Sequence, residues 1–219
     1  MPQRAPMQVL SAGNATLRLR ALARRWRRGD GVAAVEFALI VPIMAVMFIG
    51  AVELSQAITV DRRVTQVASA TADLVARAEK QISQTEITDI MRVGGYVMAP
   101  YDQTPLQIII RNVTSSPISA TTAKQSWSCT YNGVGATLSC ACTNTSYTLP
   151  PNLVTTNDSV VISEVRYNYR PLVFDFFLKN MAGAVPGTHT LTETIYLKPR
   201  SQAAMLLQSS GAPCPSPTF

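Results

Sequence analysis

Val32 to Val52 reads VAAVEFALIVPIMAVMFIGAV, twenty-one residues with a single charge, that of Glu36. As a helix rising about 1.5 Å per residue, this stretch is about 31 Å long, close to the roughly 30 Å of a bilayer's hydrocarbon layer. A buried core helix is a poor account of so uninterrupted an apolar run. A cleaved secretory signal fits no better, because its apolar region is shorter and its small-residue cleavage site follows that region. Here the small residues come first, at Gly31, Ala33 and Ala34.

Upstream, the first thirty residues hold Arg4, Arg18, Arg20, Arg24, Arg25, Arg27 and Arg28 against one acid, Asp30, which accounts for the whole formal charge of +6. From residue 31 on, twelve Lys/Arg balance twelve Asp/Glu. The pI of 9.4 therefore describes a leader and not a basic nucleic-acid-binding domain, so no nucleic acid is expected as a partner. Arginines before the span and no comparable excess after it put the N-terminus in the cytoplasm and everything past residue 53 outside. All four cysteines, Cys129, Cys140, Cys142 and Cys214, fall in that exported part, where disulfides persist. With one histidine, His189, and no CxxC pair, the sequence offers neither a zinc site nor a redox motif.

Downstream, Glu53 to about Lys80 contains no Gly or Pro, and Val64, Val67, Thr71, Leu74 and Ala78 fall at three-four spacing. Asp61, Arg62, Gln66, Asp73 and Arg77 lie opposite. The pattern predicts one helix from about Val32 to Lys80, membrane-embedded and then amphipathic, packing its stripe on the chain's own sheet. A short helix is expected at Glu86 to Met91, ahead of Gly94-Gly95. Strands follow at Leu106 to Val113, at Ser126 to Tyr131 and Ala136 to Cys142 around Asn132-Gly133, at Ser159 to Arg170 and at Thr188 to Leu197. Pro171 to Val185 reads as a short helix or an apolar loop. The fold class is α+β, pilin-like: a long N-terminal helix packed on a C-terminal antiparallel sheet. Its parts are a basic leader (1–31), a transmembrane helix (32–52), an amphipathic helical region (53–100), an exported β-rich domain (101–208) and a loose tail (209–219) tied at Cys214.

The hairpin pairs Cys129 with Cys140 and leaves Cys142 for Cys214. Cys129–Cys142 with Cys140–Cys214 stays open, as does Cys129–Cys214 with Cys140–Cys142, whose one-residue spacer strains the ring.

The junction Gly31-Val-Ala-Ala-Val-Glu36-Phe37 carries the function. A Gly, four apolar residues and a Glu, behind a basic leader, form the processing pattern of type IV prepilins. A carboxylate at mid-bilayer costs roughly 2.5 to 3.5 kcal/mol, less near the interface, and calls for a partner. Cleavage after Gly31 makes Val32 an α-ammonium, and the Glu36 of one subunit can then pair with the ammonium of the next. The competing reading has Glu36 reaching the headgroups and Gly31 as a flexible start to a signal-anchor. Pro42 leaves the Ala38 carbonyl without its helical partner, which makes it either a bend used in extraction or a tolerated transmembrane proline.

The stretch from Gly31 to Ala78 resembles the TadE/TadG-like pilus-assembly family, pseudopilins of the bacterial tight-adherence (Flp pilus) system. The matching features are the small-residue run into Glu36-Phe37-Ala38, Pro42, Glu53 and the Ala-rich stretch through Ala72-Asp73-Leu74-Val75. Weaker similarity runs through VMAPYD (97–102), VISEVRYNYRPL (161–172) and LTETIYLKPRS (191–201). At 219 residues the likeness is to the short, TadE-like form and not to TadG-like relatives with a large von Willebrand-type domain. The resemblance implies cleavage by a prepilin peptidase between Gly31 and Val32, with Glu36 and Phe37 serving processing or assembly. It implies other pilins and assembly proteins as partners, no cofactor, and a single-pass inner-membrane location with the C-terminal domain outside.

An enzyme is not expected. GxSxG, P-loop, GxGxxG and HExxH are all missing, and nothing marks a small-molecule substrate. The chief alternative is an uncleaved, membrane-anchored periplasmic binding or scaffold protein. A mitochondrial presequence explains the arginines but not Glu36.

Overall fold

The computed structural model describes residues 31–78, 81–133, 138–171, 187–200, 204–209 and 212–219. It divides into two units, Met1–Ala51 and Val52–Phe219, and helix α1 (Val32–Ala76) contributes to both. In the second unit α1 buries Val60, Val64, Val67, Ala68, Thr71, Ala72, Val75 and Ala76. The expected stripe is met at Val64, Val67 and Thr71 but not at Leu74, which is 40% exposed; Val75 takes the inward position. The helix also stops four residues short of Lys80. Its last carbonyl, that of Ala76, accepts from the Arg200 backbone N–H at 3.0 Å, so a strand end satisfies the group that residue 80 would otherwise have served.

Strand β1 (Gln81–Ser83) and helix α2 (Gln84–Val97) follow. Ser83 and Glu86 form a capping box: the Glu86 N–H donates to Ser83 Oγ, and the Ser83 N–H donates to the Glu86 carboxylate at 2.8 Å. This helix is much longer than the expected Glu86 to Met91, because Gly94-Gly95 does not break it. A Cβ on Gly94 would stand 3.0 Å from both Ile108 and Thr71 and 3.1 Å from Val67, so the glycine permits close approach of α2 to α1 and the sheet.

The main sheet has the order β4-β3-β2-β5-β6 and is antiparallel throughout, with β2 at Leu106–Ser115, β3 at Ala123–Tyr131, β4 at Ser139–Tyr147, β5 at Ser159–Tyr169 and β6 at His189–Leu197. The class is thus α+β, a long helix packed on an antiparallel sheet. Alternation places Leu106, Ile108 and Ile110 of β2, Trp127 and Cys129 of β3, and Val161 and Val165 of β5 against α1 and α2 in one core. The opposite face carries a smaller core of Val113, Ala123, Val154, Val160 and Ile162. Thr71 Oγ1 and Ser163 Oγ meet at 2.8 Å, fixing α1 on β5.

Three short strands that the sequence pattern did not predict complete the unit. The region 53–100 is not all helical, since β1 pairs in parallel with β7 (Leu206–Ser209), and the tail is not loose. There β8 (Ala212–Pro213) pairs with β7, Cys214 is buried, and Lys124 Nζ donates to the Thr218 carbonyl at 2.5 Å. The reason is a buried polar knot: the Met205 carbonyl accepts from Trp127 Nε1 at 2.8 Å and from Asn112 Nδ2 at 3.2 Å, and Asn112 also bonds Ser126 and Ser159. Every partner is satisfied, so burying these groups costs little and pins the C-terminal segment. The apolar stretch Leu172 to Val185 lies outside the described residues.

Candidate functional site

Gly31, Val32, Glu36 and Phe37 occupy the first two turns at the start of α1, and all four are exposed. Nothing lies within 4 Å of a Cβ placed on Gly31, so a side chain there meets no steric objection from the described residues. The helix has an apolar stretch long enough to cross a membrane, and none of it is buried against the rest of the chain. Phe37, Leu39, Met47 and Phe48 are among its most exposed side chains. A surface this large and apolar is stable only in lipid or against other apolar helices. Pro42 sits within the helix without ending it.

Glu53, at the far end of that stretch, is buried, a property that the sequence pattern alone did not reveal. Its charge reaches Tyr169: burial, then Glu53 and Tyr101, push the Tyr169 hydroxyl above its ordinary value. Arg63, one and a half turns beyond Ile58, donates to the Val97 carbonyl at 2.8 Å and to that of Ala99, and stands 5.6 Å from the Tyr101 ring centre. Arg63 therefore binds α1 to the end of α2 and the loop that follows it by both polar and aromatic contacts.

The cysteines are paired as Cys129–Cys140, cross-strand neighbours in the β3–β4 ladder, and Cys142–Cys214, which joins the edge strand to the C-terminal segment. Among the described residues no group of three or more His, Cys, Asp or Glu is arranged to hold a metal.

Two partly buried acids, Glu164 and Asp158, are matched by bases. Glu164 loses solvation on burial, but Arg111 at 2.6 Å and Arg166 outweigh that loss and hold its carboxyl below the usual range. Asp158 behaves likewise, with burial opposed by Lys198 and the Ser159 and Thr155 N–H groups. Glu164 thus pairs across to β2 and along its own strand, while Asp158 and Lys198 meet just beyond the ends of β5 and β6.

Residues 31–73 match the family model described as TadE-like protein. The matched segment opens at Gly31 and includes Glu36, Phe37, Pro42 and Glu53. No curated protein and no solved structure matches the chain.

Proposed function

We infer, from a chain whose residues 31–73 are TadE-like, that this protein is a minor pilin or pseudopilin needed to assemble or anchor a tight-adherence pilus. The leader stays in the cytoplasm, a prepilin peptidase cuts between Gly31 and Val32, and the disulfide-bonded unit stands outside the inner membrane. The observation that carries this reading is the meeting, in one family-matched segment, of an unhindered Gly31, an exposed Glu36 and a helix that its own domain leaves bare. Cleavage turns Val32 into an ammonium four residues from Glu36. In a bundle of such helices, the carboxylate of one subunit and the ammonium of its neighbour offset each other's desolvation. The chain would work by packing helices and presenting a stable domain, with membrane, peptidase and fellow pilus subunits as its partners.

The deciding measurement is the intact mass of the protein from a piliated bacterial host. A mature chain beginning at Val32 is expected, and Gly31→Leu, which has room in the fold, should leave the full precursor. A wild-type chain that keeps its leader would point instead to an uncleaved membrane-anchored scaffold.

A further inference from the structure

A cleft of about 420 Å³ opens within the second unit, where β2 begins and β5 ends, lined by Thr104, Gln107, Asn132, Arg166, Asn168 and Thr190 among others. Its volume lies in the range of about 300 to 1,000 Å³ usual for ligand sites. Hydrogen bonds among the lining residues fix what each one offers. Gln107 Nε2 donates to Asn132 Oδ1 and Thr190 Oγ1 to Asn168 Oδ1, both at 2.8 Å, so the two asparagine NH2 groups remain as donors. The same bonds leave Gln107 Oε1 and the lone pairs of Thr190 Oγ1 as acceptors. Thr104 Oγ1 donates to Asp102 at 2.9 Å and is a third acceptor. Arg166 holds the Glu164 carboxylate through Nε and Nη2 and keeps the Nη1 donors. A ligand with only acceptor oxygens would leave the three protein acceptors unmatched. Hydroxyl groups, which donate and accept, satisfy both halves of the set.

Charge is unevenly placed along the cleft. Arg111 and Arg166 share one carboxylate, that of Glu164, which leaves a positive charge in surplus at the Arg166 end. At the other end Asp102 stands behind Thr104, whose N–H and then hydroxyl hold its carboxyl below the usual range. Arg166 faces Gln107 across the β2–β5 ladder, and Thr104 precedes Gln107 by three residues, so the two ends lie up to about 10 Å apart. One carboxylate fits beside Arg166, where a guanidinium recognises it well. A second negative group toward Thr104 would meet Asp102, which disfavours a polyanion.

We propose that this cleft binds an acidic saccharide, with a single carboxylate at Arg166 and hydroxyl groups between the two asparagine amides and the oxygens of Gln107, Thr190 and Thr104. The site owes nothing to cleavage at Gly31 or to the apolar part of α1, so its failure would leave the pilus reading standing.

The test uses the full chain in a zwitterionic detergent free of sugar headgroups, with binding followed by saturation-transfer NMR. The probes are the disaccharides of glucuronic, galacturonic and mannuronic acid, each beside its neutral counterpart of glucose, galactose or mannose, with inorganic phosphate as a competitor. At least one acidic disaccharide should bind saturably and about tenfold more tightly than its neutral counterpart, as one charge-assisted hydrogen bond implies. Arg166→Gln should remove that preference, whereas Asn168→Ala should weaken both members of the pair alike. Both residues are exposed, and unchanged Trp127 fluorescence verifies the fold. If either variant loses it, Thr190→Val, which keeps the shape and removes one acceptor, serves instead and should weaken both sugars. Failure of every disaccharide to saturate overturns the site, as does equal binding of acidic and neutral sugars by the wild type. Phosphate that displaces the acidic disaccharide at equal concentration reduces the cleft to a plain anion site and overturns the saccharide. A preference that survives Arg166→Gln places the ligand elsewhere and overturns the assignment to this cleft.

Discussion

Replacing Cys142 and Cys214 together by alanine removes a crosslink spanning 72 residues, whereas replacing Cys129 and Cys140 removes one spanning 11. In the chain-entropy model, stabilisation grows with the logarithm of loop length, giving about 4.4 kcal/mol for the long closure and about 2.8 for the short one at 25 °C. The long crosslink also holds a buried residue, Cys214, whose neighbours lose packing when the tail is released. The short one joins strands already paired through Thr130–Ser139 and Ser128–Ala141. Urea unfolding of the detergent-solubilised protein, followed by the fluorescence of buried Trp127, reads the difference directly. With a slope of about 2 kcal/mol per M, the Cys142/Cys214 pair should lower the midpoint by about 2 M and the Cys129/Cys140 pair by about 1.4 M. A smaller loss for the Cys142/Cys214 variant than for the other would refute the reasoning, because it would mean that the tail is held by its polar knot and not by its crosslink.

Gly94→Ala should destabilise the second unit by about 1 to 3 kcal/mol in the same assay, since its Cβ would press on Ile108, Thr71 and Val67; an unchanged midpoint would show that the helix can lift away without cost. Glu164 and Asp158 have carboxyls held below their ordinary values of 4.5 and 3.8. Their contribution is complete above those values and is lost as pH falls through the lower, folded-state ones, so stability should drop below about pH 4. Glu164→Gln should flatten that acid limb while costing about 2 kcal/mol at neutral pH, and an equally steep limb in the variant would shift the cause elsewhere. Glu36→Gln should leave insertion into the membrane intact, as judged by fractionation, and reduce surface pili counted by electron microscopy; normal piliation would dismiss the pairing of Glu36 with a neighbour's ammonium.

The membrane-length helix, the strands of the main sheet and the hairpin that brings Cys129 to Cys140 were legible in the sequence because each rests on local pattern. Charge sparsity marks the span, β-branched runs and alternation mark β2, β5 and β6, and Asn132-Gly133 marks the hairpin. Gly133 has φ +80°, and a Cβ there would meet the Gln103 carbonyl oxygen at 2.6 Å, which explains the glycine. What escaped depends on partners distant in the chain. Leu74 and Val75 are adjacent, and the hydrophobic period cannot choose between them without the sheet that α1 faces. Gly94-Gly95 looks like a helix stop until Ile108 and Thr71 come up against it. Strands as short as β1 and β7 carry no periodic signal, and the anchoring of the tail through Met205 uses a backbone carbonyl, which leaves no trace in side-chain pattern. In the junction, residue types and spacing singled out Gly31 and Glu36, but the burial of Glu53 needed the packed end of β5.

The pairing of Ile82 with Leu207, both buried, has a bearing on how the protein is made. The residue that leaves α1 for α2 finds its neighbour about 125 positions later, and Trp127 waits for the carbonyl of Met205. The core beneath α2 therefore stays unfinished until β7 is in place. A chain whose β7 has not yet paired exposes Ile82, Ile87, Met91 and Trp127 to whatever surrounds it, and closure of such long-range contacts is slow. On the topology proposed above, the chain would cross the membrane extended and fold afterwards, with the segment around Leu207 deciding when the unit becomes compact.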